Sequence, residues 1–259
     1  MAGHSKWANI KHRKGRQDEK KQKIFSKLIR ELTVASKLGG SEVADNPRLR
    51  LALDKALGAN MPKDTIERAI ARGSGDNDSG NLEEISYEGY GPNGVAVFIE
   101  AMSDNKNRTV AEIRHAFSKA GGSLGTDGSV GYLFKKKGQI IVRESNQEKL
   151  LDLLISEGIE DIESSDEELT IIYTDPNSIH NTKNALLKES IEVIETEIIM
   201  DSSQSIKLNS EETEKVLNLI ESLEDLDDVQ NVFSNAEFSL EGINSVSYTH
   251  LTLPTNACV

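Results

Sequence analysis

The stretch SGDNDSGNLEEISYEGYGPNGVAVFIEAM, residues 74–102, decides how the chain is divided. Its first eight residues are polar and turn-forming, which is typical of a linker between domains. From Glu84 the apolar residues recur with a period of two, and the segments 84–90 and 95–102 predict two strands. The turn GPNG at 91–94 joins them into a hairpin. The sequence therefore predicts a domain boundary near residue 80, with sheet structure after it.

Upstream of this boundary the apolar residues recur at spacings of three and four, which is typical of amphipathic helices. The pattern predicts three helices, from about residue 18 to 39, from 46 to 58 and from 61 to 73. Asn46-Pro47 is a helix start signal, because asparagine caps and proline fits the first turn. Short amphipathic helices cannot bury their apolar faces alone, so we expect a three-helix bundle over residues 18–80.

Downstream, residues 139–200 predict the order strand, helix, strand, strand, helix, strand, which is the ferredoxin-like pattern. A helix at 210–223 and a strand at 229–234 then remain without partners. The simplest arrangement returns them to the earlier strand-helix-strand segment, 95–136. We therefore expect an α+β protein, with the bundle followed by two ferredoxin-like α/β domains, the third inserted in the second. The expected bounds are 81–137 with 206–241 for the second domain, and 138–205 for the third.

Several finer expectations follow from the same patterns. Strands are expected at 132–136 and 139–143, on either side of Lys137-Gly138. Capping boxes are expected at Thr109 with Glu112, and at Ser145 with Glu148. No charged residue follows Glu241 in a chain that is 28% charged, so residues 242–259 are expected to be a non-native or disordered tail.

The charge of the chain is strongly polarised. The net charge is −13, yet the first 30 residues hold ten Lys and Arg against two acidic residues, a net +8. Residues 1–80 carry 17 basic and 10 acidic residues, whereas the remainder carries 13 and 33, a net −20. A basic segment on an acidic body predicts a polyanionic partner for that segment.

Residues 1–17 contain little with which to build a core, so we interpret them as a basic arm. Phosphates need cations in number, and Trp7 can stack on an unpaired base. The alternative is a solvated tail that only aids solubility, which we consider less frequent for such basic runs. The candidate nucleic-acid-binding residues are Lys6, Trp7, Lys11, His12, Arg13, Lys14, Arg16, Lys20, Lys21, Lys23, Lys27 and Arg30.

No pattern in the sequence predicts an enzyme, a catalytic residue, a metal site or a cofactor. Cys258 is the single cysteine, and the scattered histidines lack zinc-ligand spacing. The glycine loop GGSLGTDGSVG at 121–131 lacks the Gly-Lys-Ser/Thr end of a nucleotide-binding loop and follows a helix, so a structural loop is the better interpretation. No apolar run is long enough for a membrane span, and the N-terminus does not have the pattern of a signal peptide. A reducing cytosol is the expected compartment.

Five stretches taken in order resemble the YebC/PmpR family, which includes the mitochondrial translational activator of cytochrome c oxidase. They are AGHSKWANIKHRKGRQDEKK (2–21), MPKDTIERAIARG (61–73), YEGYGPNGVAVFIEA (87–101), DNKNRTVAEIRHAFSKAGGSLGTDGSVGYLF (104–134) and the terminal helix-strand region. Asn93 stands where another glycine is expected. The resemblance implies three domains, a bacterial cytoplasmic protein and a regulator of gene expression.

The resemblance implies two modes of regulation, which the residues do not separate. One is transcription, through promoter DNA; the other is translation, through ribosomal RNA and the ribosome, notably on proline-rich stretches. Helix 61–73 offers base-reading side chains of mixed sign, whereas a basic arm with one Trp suits RNA, so RNA is slightly favoured. A metal-dependent nuclease and an acidic scaffold that binds protein partners through the α/β domains are the alternatives.

Overall fold

The structure is a computed structural model that describes residues 21–75, 82–164 and 169–239. The predicted arm at 1–17, most of the predicted linker and the predicted tail at 242–259 lie outside these ranges. Within the described residues, no helix is both long and apolar enough to cross a membrane.

The first described unit is the predicted three-helix bundle, which is confirmed. Its helices are α1 (Lys21–Gly39), α2 (Pro47–Gly58) and α3 (Lys63–Ser74). Their apolar faces meet in one core around Leu32, Leu49 and Ile66. Asn46 caps α2 as expected, since its Oδ1 accepts a hydrogen bond of 3.0 Å from the Leu49 amide. Its Nδ2 donates to the Ala35 carbonyl at 2.8 Å, so the same side chain also fixes the angle between α1 and α2.

The rest of the described chain alternates strands and helices. In order they are β1 (Glu83–Tyr90), β2 (Ala96–Ser103), α4 (Lys106–Lys119), β3 (Ser123–Leu124), β4 (Phe134–Arg143), α5 (Gln147–Leu154), β5 (Ile159–Ser164), β6 (Thr170–Thr174), α6 (Ile179–Lys188), β7 (Glu192–Ser202), β8 (Ile206–Lys207), α7 (Ser210–Glu224), β9 (Val229–Ser234) and β10 (Ala236–Glu237). A 3₁₀ turn at Pro92–Gly94 closes the β1–β2 hairpin. There Asn93 adopts a left-handed backbone with φ of 59°, a conformation that asparagine tolerates better than most residues.

Elements β4 to β7 form the predicted ferredoxin-like domain. Its antiparallel sheet has the strand order β5-β6-β4-β7. Helices α5 and α6 bury Leu150 and Leu186 against Ile140, Val142 and Ile172 on one face of this sheet. The order of elements and the order of strands both match the pattern that the sequence predicted.

The second domain is a four-stranded antiparallel sheet in the order β3-β1-β2-β9. Strand β9 follows the inserted domain and pairs with β2, for example Ile99 with Val232. The predicted insertion and the α+β class are therefore confirmed. Helices α4 and α7 cover one face of the sheet, where Ile113, Phe117 and Leu219 join its core. The first two strands of this sheet, β1 and β2, form a hairpin with no α-helix between them. The strand order of the second domain therefore differs from that of the inserted domain.

The structure corrects two local expectations. The strands predicted at 132–136 and 139–143 are one strand, β4, which pairs with β7 without a break at Lys137-Gly138. Gly138 lies within this strand, and the position requires glycine because a Cβ there would lie only 2.8 Å from Thr174 Cγ2. The inserted sheet thus begins at Phe134, and the short strand β3 takes the place expected for 132–136.

The predicted capping boxes of α4 and α5 are also wrong. Asn105 caps α4 by accepting a hydrogen bond of 3.2 Å from the Arg108 amide, so the helix begins one turn earlier than expected. Asn146 caps α5 in the same way. Asparagine is as favourable as serine or threonine at a helix N-cap. The prediction chose the nearby Thr109 and Ser145 because each is followed by a glutamate three residues later.

Candidate nucleic-acid interface

Helix α1 carries the last three predicted nucleic-acid-binding residues on one face. Lys23, Lys27 and Arg30 are spaced four and three residues apart, which places them in a row. The row faces the C-terminal end of α7. Lys27 Nζ donates to the Glu224 carbonyl at 3.0 Å, and Lys23 Nζ donates to the Asp225 carbonyl at 2.9 Å. Carbonyls at a helix end lack intrahelical partners and carry the negative end of the helix dipole, so they attract these cations.

The third member of the row, Arg30, pairs with a buried carboxylate. Its Nη2 lies 3.2 Å from Asp228 Oδ1, and Asp228 is only 2% exposed. The other oxygen, Oδ2, accepts hydrogen bonds from Ser103 Oγ at 2.9 Å and Thr109 Oγ1 at 2.7 Å. It also accepts one from Arg108 Nη2 at 2.8 Å. Asp228 therefore joins the bundle to the second domain.

The Asp228 carboxylate is held in its ionised form. Burial alone would raise its pKa, but hydrogen bonds from Arg108, Thr109 and Ser103 outweigh that effect. The resulting pKa lies below the usual range for aspartate. An ionised carboxylate between two guanidinium groups is a favourable arrangement only because every partner is in place.

A cleft of about 820 Å³ opens at this joint between the bundle and the second domain. Its walls carry both signs of charge: Lys23, Arg30, Arg72, Arg108, Asp104, Glu112, Asp225, Asp227 and Asp228. Arg30 Nη1 is buried here with no hydrogen-bond partner among the described residues. Since acidic residues line the cleft as densely as basic ones, it is not a simple phosphate pocket.

A second ionic contact links the bundle to the hairpin of the second domain. Arg48 on α2 donates from Nε to Glu31 Oε1 at 2.8 Å, and its Nη2 pairs with Glu84 on β1. Burial would lower the pKa of Arg48, but the hydrogen bonds that it donates to Glu84 and Glu31 raise it. The bundle is thus fixed to the second domain on two sides.

The structure covers only part of the predicted site. Lys23, Lys27 and Arg30 lie together at the joint described above. The other predicted residues lie outside the described part, or in the case of Lys21 have no described side chain: Lys6, Trp7, Lys11, His12, Arg13, Lys14, Arg16, Lys20 and Lys21. Nucleic-acid contact by this set stays a prediction, and α1 is the rigid element that follows the arm.

The backbone amides of the glycine loop at 121–131 bind a carboxylate of the same domain. The carboxylate of Glu88 on β1 accepts from the amides of Gly128 at 2.9 Å, Val130 at 2.6 Å and Gly131 at 2.7 Å. Burial would raise the pKa of Glu88, but these backbone hydrogen bonds lower it. The amides that could have held a phosphate already hold a carboxylate, which supports the structural interpretation of this loop.

The sequence patterns above single out neither Asp228 nor Glu88. A lone acidic residue in a strand or turn carries no signal of its own, because its partners lie far away in sequence. Two carboxylates near the start of β1 have basic partners instead: Glu83 pairs with Lys106, whereas Glu84 pairs with Arg48. Within 21–75, 82–164 and 169–239, no three His, Cys, Asp or Glu side chains converge as metal ligands would.

Comparison with known protein families identifies the family of this chain. The profile described as the TACO1/YebC protein N-terminal domain matches residues 5–76, and that of the TACO1/YebC second and third domain matches residues 82–236. The chain belongs to the TACO1/YebC family. The resemblance that the sequence motifs indicated is thereby confirmed.

Curated members of the TACO1/YebC family are similar over nearly their whole length. A "probable transcriptional regulatory protein" of Pseudomonas putida is 57% identical over 242 residues, which cover 93% of this chain and 98% of the relative. The "transcriptional regulatory protein PmpR" of Pseudomonas aeruginosa is 57% identical over 238 residues, or 92% and 96% of the two chains. A solved structure of a conserved hypothetical protein from Aquifex aeolicus is 43% identical, with a TM-score of 0.77 over 87% of this chain and 93% of that one.

Proposed function

We propose that this TACO1/YebC protein is a non-enzymatic, cytoplasmic regulator of gene expression that binds nucleic acid through its basic N-terminal arm. The observation that carries the proposal is the polarity of charge, +8 in the first 30 residues against −20 after residue 80. The names of the Pseudomonas relatives, which are transcriptional regulatory proteins, support a regulatory role.

The contacts between α1 and residues 224–228 explain how an acidic body can carry a basic arm. The acidic segment 224–228 is compensated by Lys23, Lys27 and Arg30, so the arm precedes a row of cations whose charge is already balanced. Cations earlier in the chain then remain the main source of attraction for phosphates, through release of condensed counterions. The acidic parts of the body repel polyanions within a screening length of about 8–10 Å, which favours binding at basic segments of the chain.

Among nucleic acids we favour RNA, including ribosomal RNA, over promoter DNA. A helix that reads DNA presents exposed side chains to base edges. The exposed charged side chains of α3 are of both signs, and Arg68 Nε donates back to the Asp64 carbonyl at 2.9 Å. A basic segment with a single Trp suits unpaired bases and phosphates better. The relatives' names favour transcription instead, and the role on proline-rich stretches is what the family resemblance implies.

The test is removal of residues 2–16 from the full chain. We expect loss of nucleic-acid binding with little change in melting temperature, because these residues precede the bundle core. A full-length control in which the same residues are shuffled, with charge retained, should bind nearly as well. Binding that survives the deletion would contradict the role of the arm.

Sedimentation with ribosomes in the presence of competing promoter DNA separates the two targets. Ribosome association that DNA does not displace supports regulation of translation. A specific footprint on DNA without ribosome association supports regulation of transcription. Incubation of the purified protein with RNA or DNA and a divalent metal tests the nuclease alternative, for which we expect no hydrolysis.

A further inference from the structure

Two tyrosines lie side by side on the surface of the second domain. Tyr132, just after the glycine loop, is 74% exposed, and Tyr90, at the end of β1, is 36% exposed. Tyr90 Oη donates to the Ser129 carbonyl at 2.9 Å, and the side chain of Tyr132 lies close to that of Tyr90. Exposed aromatic rings fixed in a pair are typical of binding surfaces, since a ring offers a large contact area with little side-chain entropy to lose.

The loop beneath the tyrosines is held rigidly by Glu88. Its carboxylate binds the amides of Gly128, Val130 and Gly131, so the loop keeps one shape without a ligand. Gly128 has φ of +82°, and a Cβ on Gly131 would lie 2.9 Å from Glu88 Oε1, so neither position accommodates a larger residue easily. A surface organised in advance binds with a smaller entropic cost.

The charge around the tyrosines is opposite to that of the surrounding body. Residues 113–137 contain five Lys and Arg against Asp127 alone, a net +4, within a region after residue 80 that sums to −20. Two of the five, Lys135 and Lys137, pair with Glu160 and Asp201 of the inserted domain. Arg114 and Lys119 are exposed on α4, which ends at the loop, and Lys136 is exposed on β4. A basic segment with an exposed aromatic pair favours a polyanion with flat groups over an acidic or apolar protein surface.

We propose that Tyr132, supported by Tyr90, stacks an unpaired base of a single-stranded nucleic acid, with the adjacent lysines and arginine contacting its phosphates. This inference rests on the proposed function and adds a second contact to the arm. Two linked contacts on one strand raise the overall affinity beyond that of either alone. The base contact favours a single strand, because the internal bases of a duplex are stacked on one another and leave no face free for the ring.

The test uses the full chain, a labelled 20-nucleotide uridine RNA and a duplex RNA of equal length, titrated at several salt concentrations. Stacking contributes to the affinity without displacing counterions, so Tyr132→Ala should lower the affinity for the single strand by roughly five- to a hundredfold at every salt concentration. The slope of log K against log salt should stay unchanged, and duplex binding should not respond. Tyr132→Phe, which keeps the ring, should bind as the unmodified chain does.

Ile155→Ala is the matched control, because Ile155 is 71% exposed but lies in the inserted domain. If Tyr132→Ala binds the single strand no worse than Ile155→Ala, the stacking site is wrong, while loss of binding on deletion of 2–16 would leave the proposed function standing. A change in salt slope, or photocrosslinks from Tyr132 to a ribosomal protein rather than to RNA, would also overturn it. If the unmodified chain binds neither RNA, the stacking site and the preference for RNA are both wrong, while the DNA footprint still tests the proposed function.

Discussion

The second domain contains two buried carboxylates whose partners differ in kind. Glu88 accepts hydrogen bonds from neutral backbone amides of a loop in its own domain. Asp228 accepts from two hydroxyls and a guanidinium of its own domain, and pairs with Arg30 of the bundle. Both are ionised, yet Glu88 fixes the shape of one loop whereas Asp228 couples two domains. The partners of a buried charge, rather than its burial, decide how far its influence reaches.

The difference also bears on the two binding surfaces. The Asp228 cluster sets the position of α1, the helix that follows the basic arm. The Glu88 cluster sets the loop that carries Tyr132. Each carboxylate therefore supports one of the two contacts we propose, without facing the nucleic acid itself.

The largest expected effect comes from Asp228→Ala. The substitution removes the carboxylate that pairs with Arg30 and leaves Arg108 with Asp104. Loss of one partner of a buried ion pair costs about 3–5 kcal/mol of unfolding free energy. Urea denaturation followed by circular dichroism measures this loss. Asp227→Ala, an exposed neighbour in the same turn, is the control and should change stability little. Equal effects of the two variants would show that the Asp228 cluster does not couple the domains.

Glu88→Gln should cost less and act more locally. The amide presents one acceptor oxygen where the carboxylate presents two, so at least one loop amide loses its partner, at about 1–3 kcal/mol. Hydrogen exchange should accelerate at Gly128, Val130 and Gly131 and not in the bundle. Asp127→Asn, on the exposed part of the same loop, should leave this exchange unchanged. Exchange that accelerates equally in the bundle would mean that Glu88 also couples domains.

Acid should weaken both clusters over the same range of pH. The pKa of Asp228 and that of Glu88 are lowered in the folded chain, so each carboxylate stabilises the fold at pH values above its unfolded pKa. That contribution is lost as the pH falls below about 4 and passes through the folded pKa values. The unfolding free energy measured from pH 7 to pH 2 should therefore fall more steeply in the unmodified chain than in Asp228→Asn or Glu88→Gln.

The sequence predicted the fold well because its signals were local. Helix periodicity, the Asn46-Pro47 start and the turn at 91–94 each involve neighbouring residues, and the ferredoxin-like order follows from counting elements. The error at Lys137-Gly138 arose where a distant contact decides the structure. Lys137-Gly138 resembled a turn only because the reason for glycine, the methyl of Thr174, lies 36 positions further along the chain.

The candidate site was less predictable, because its organisation depends on contacts between distant segments. The cations of α1 suggested nucleic acid, but no pattern in the chain indicated that α7 ends against Lys23 and Lys27. Glu88 and Asp228 each gather partners from more than 35 residues away, so no spacing could reveal them. Nothing drew attention to Tyr132 either, since its exposure depends on the shape of the loop.

Lys23→Gln should have the smallest effect on stability, and it separates the role of Lys23 at the joint from a role in nucleic-acid binding. Lys23 and Asp225 are both 41% exposed and lie 3.6 Å apart, so their ion pair should contribute no more than about 0.5 kcal/mol to stability. The nucleic-acid role can then be measured without interference from unfolding. If Lys23 also contacts a phosphate, the salt slope should become shallower by about one relative to that of Lys63→Gln, an exposed lysine on α3. An unchanged slope would make Lys23 a residue of the joint alone, because a cation held by the end of α7 displaces no counterions when nucleic acid binds.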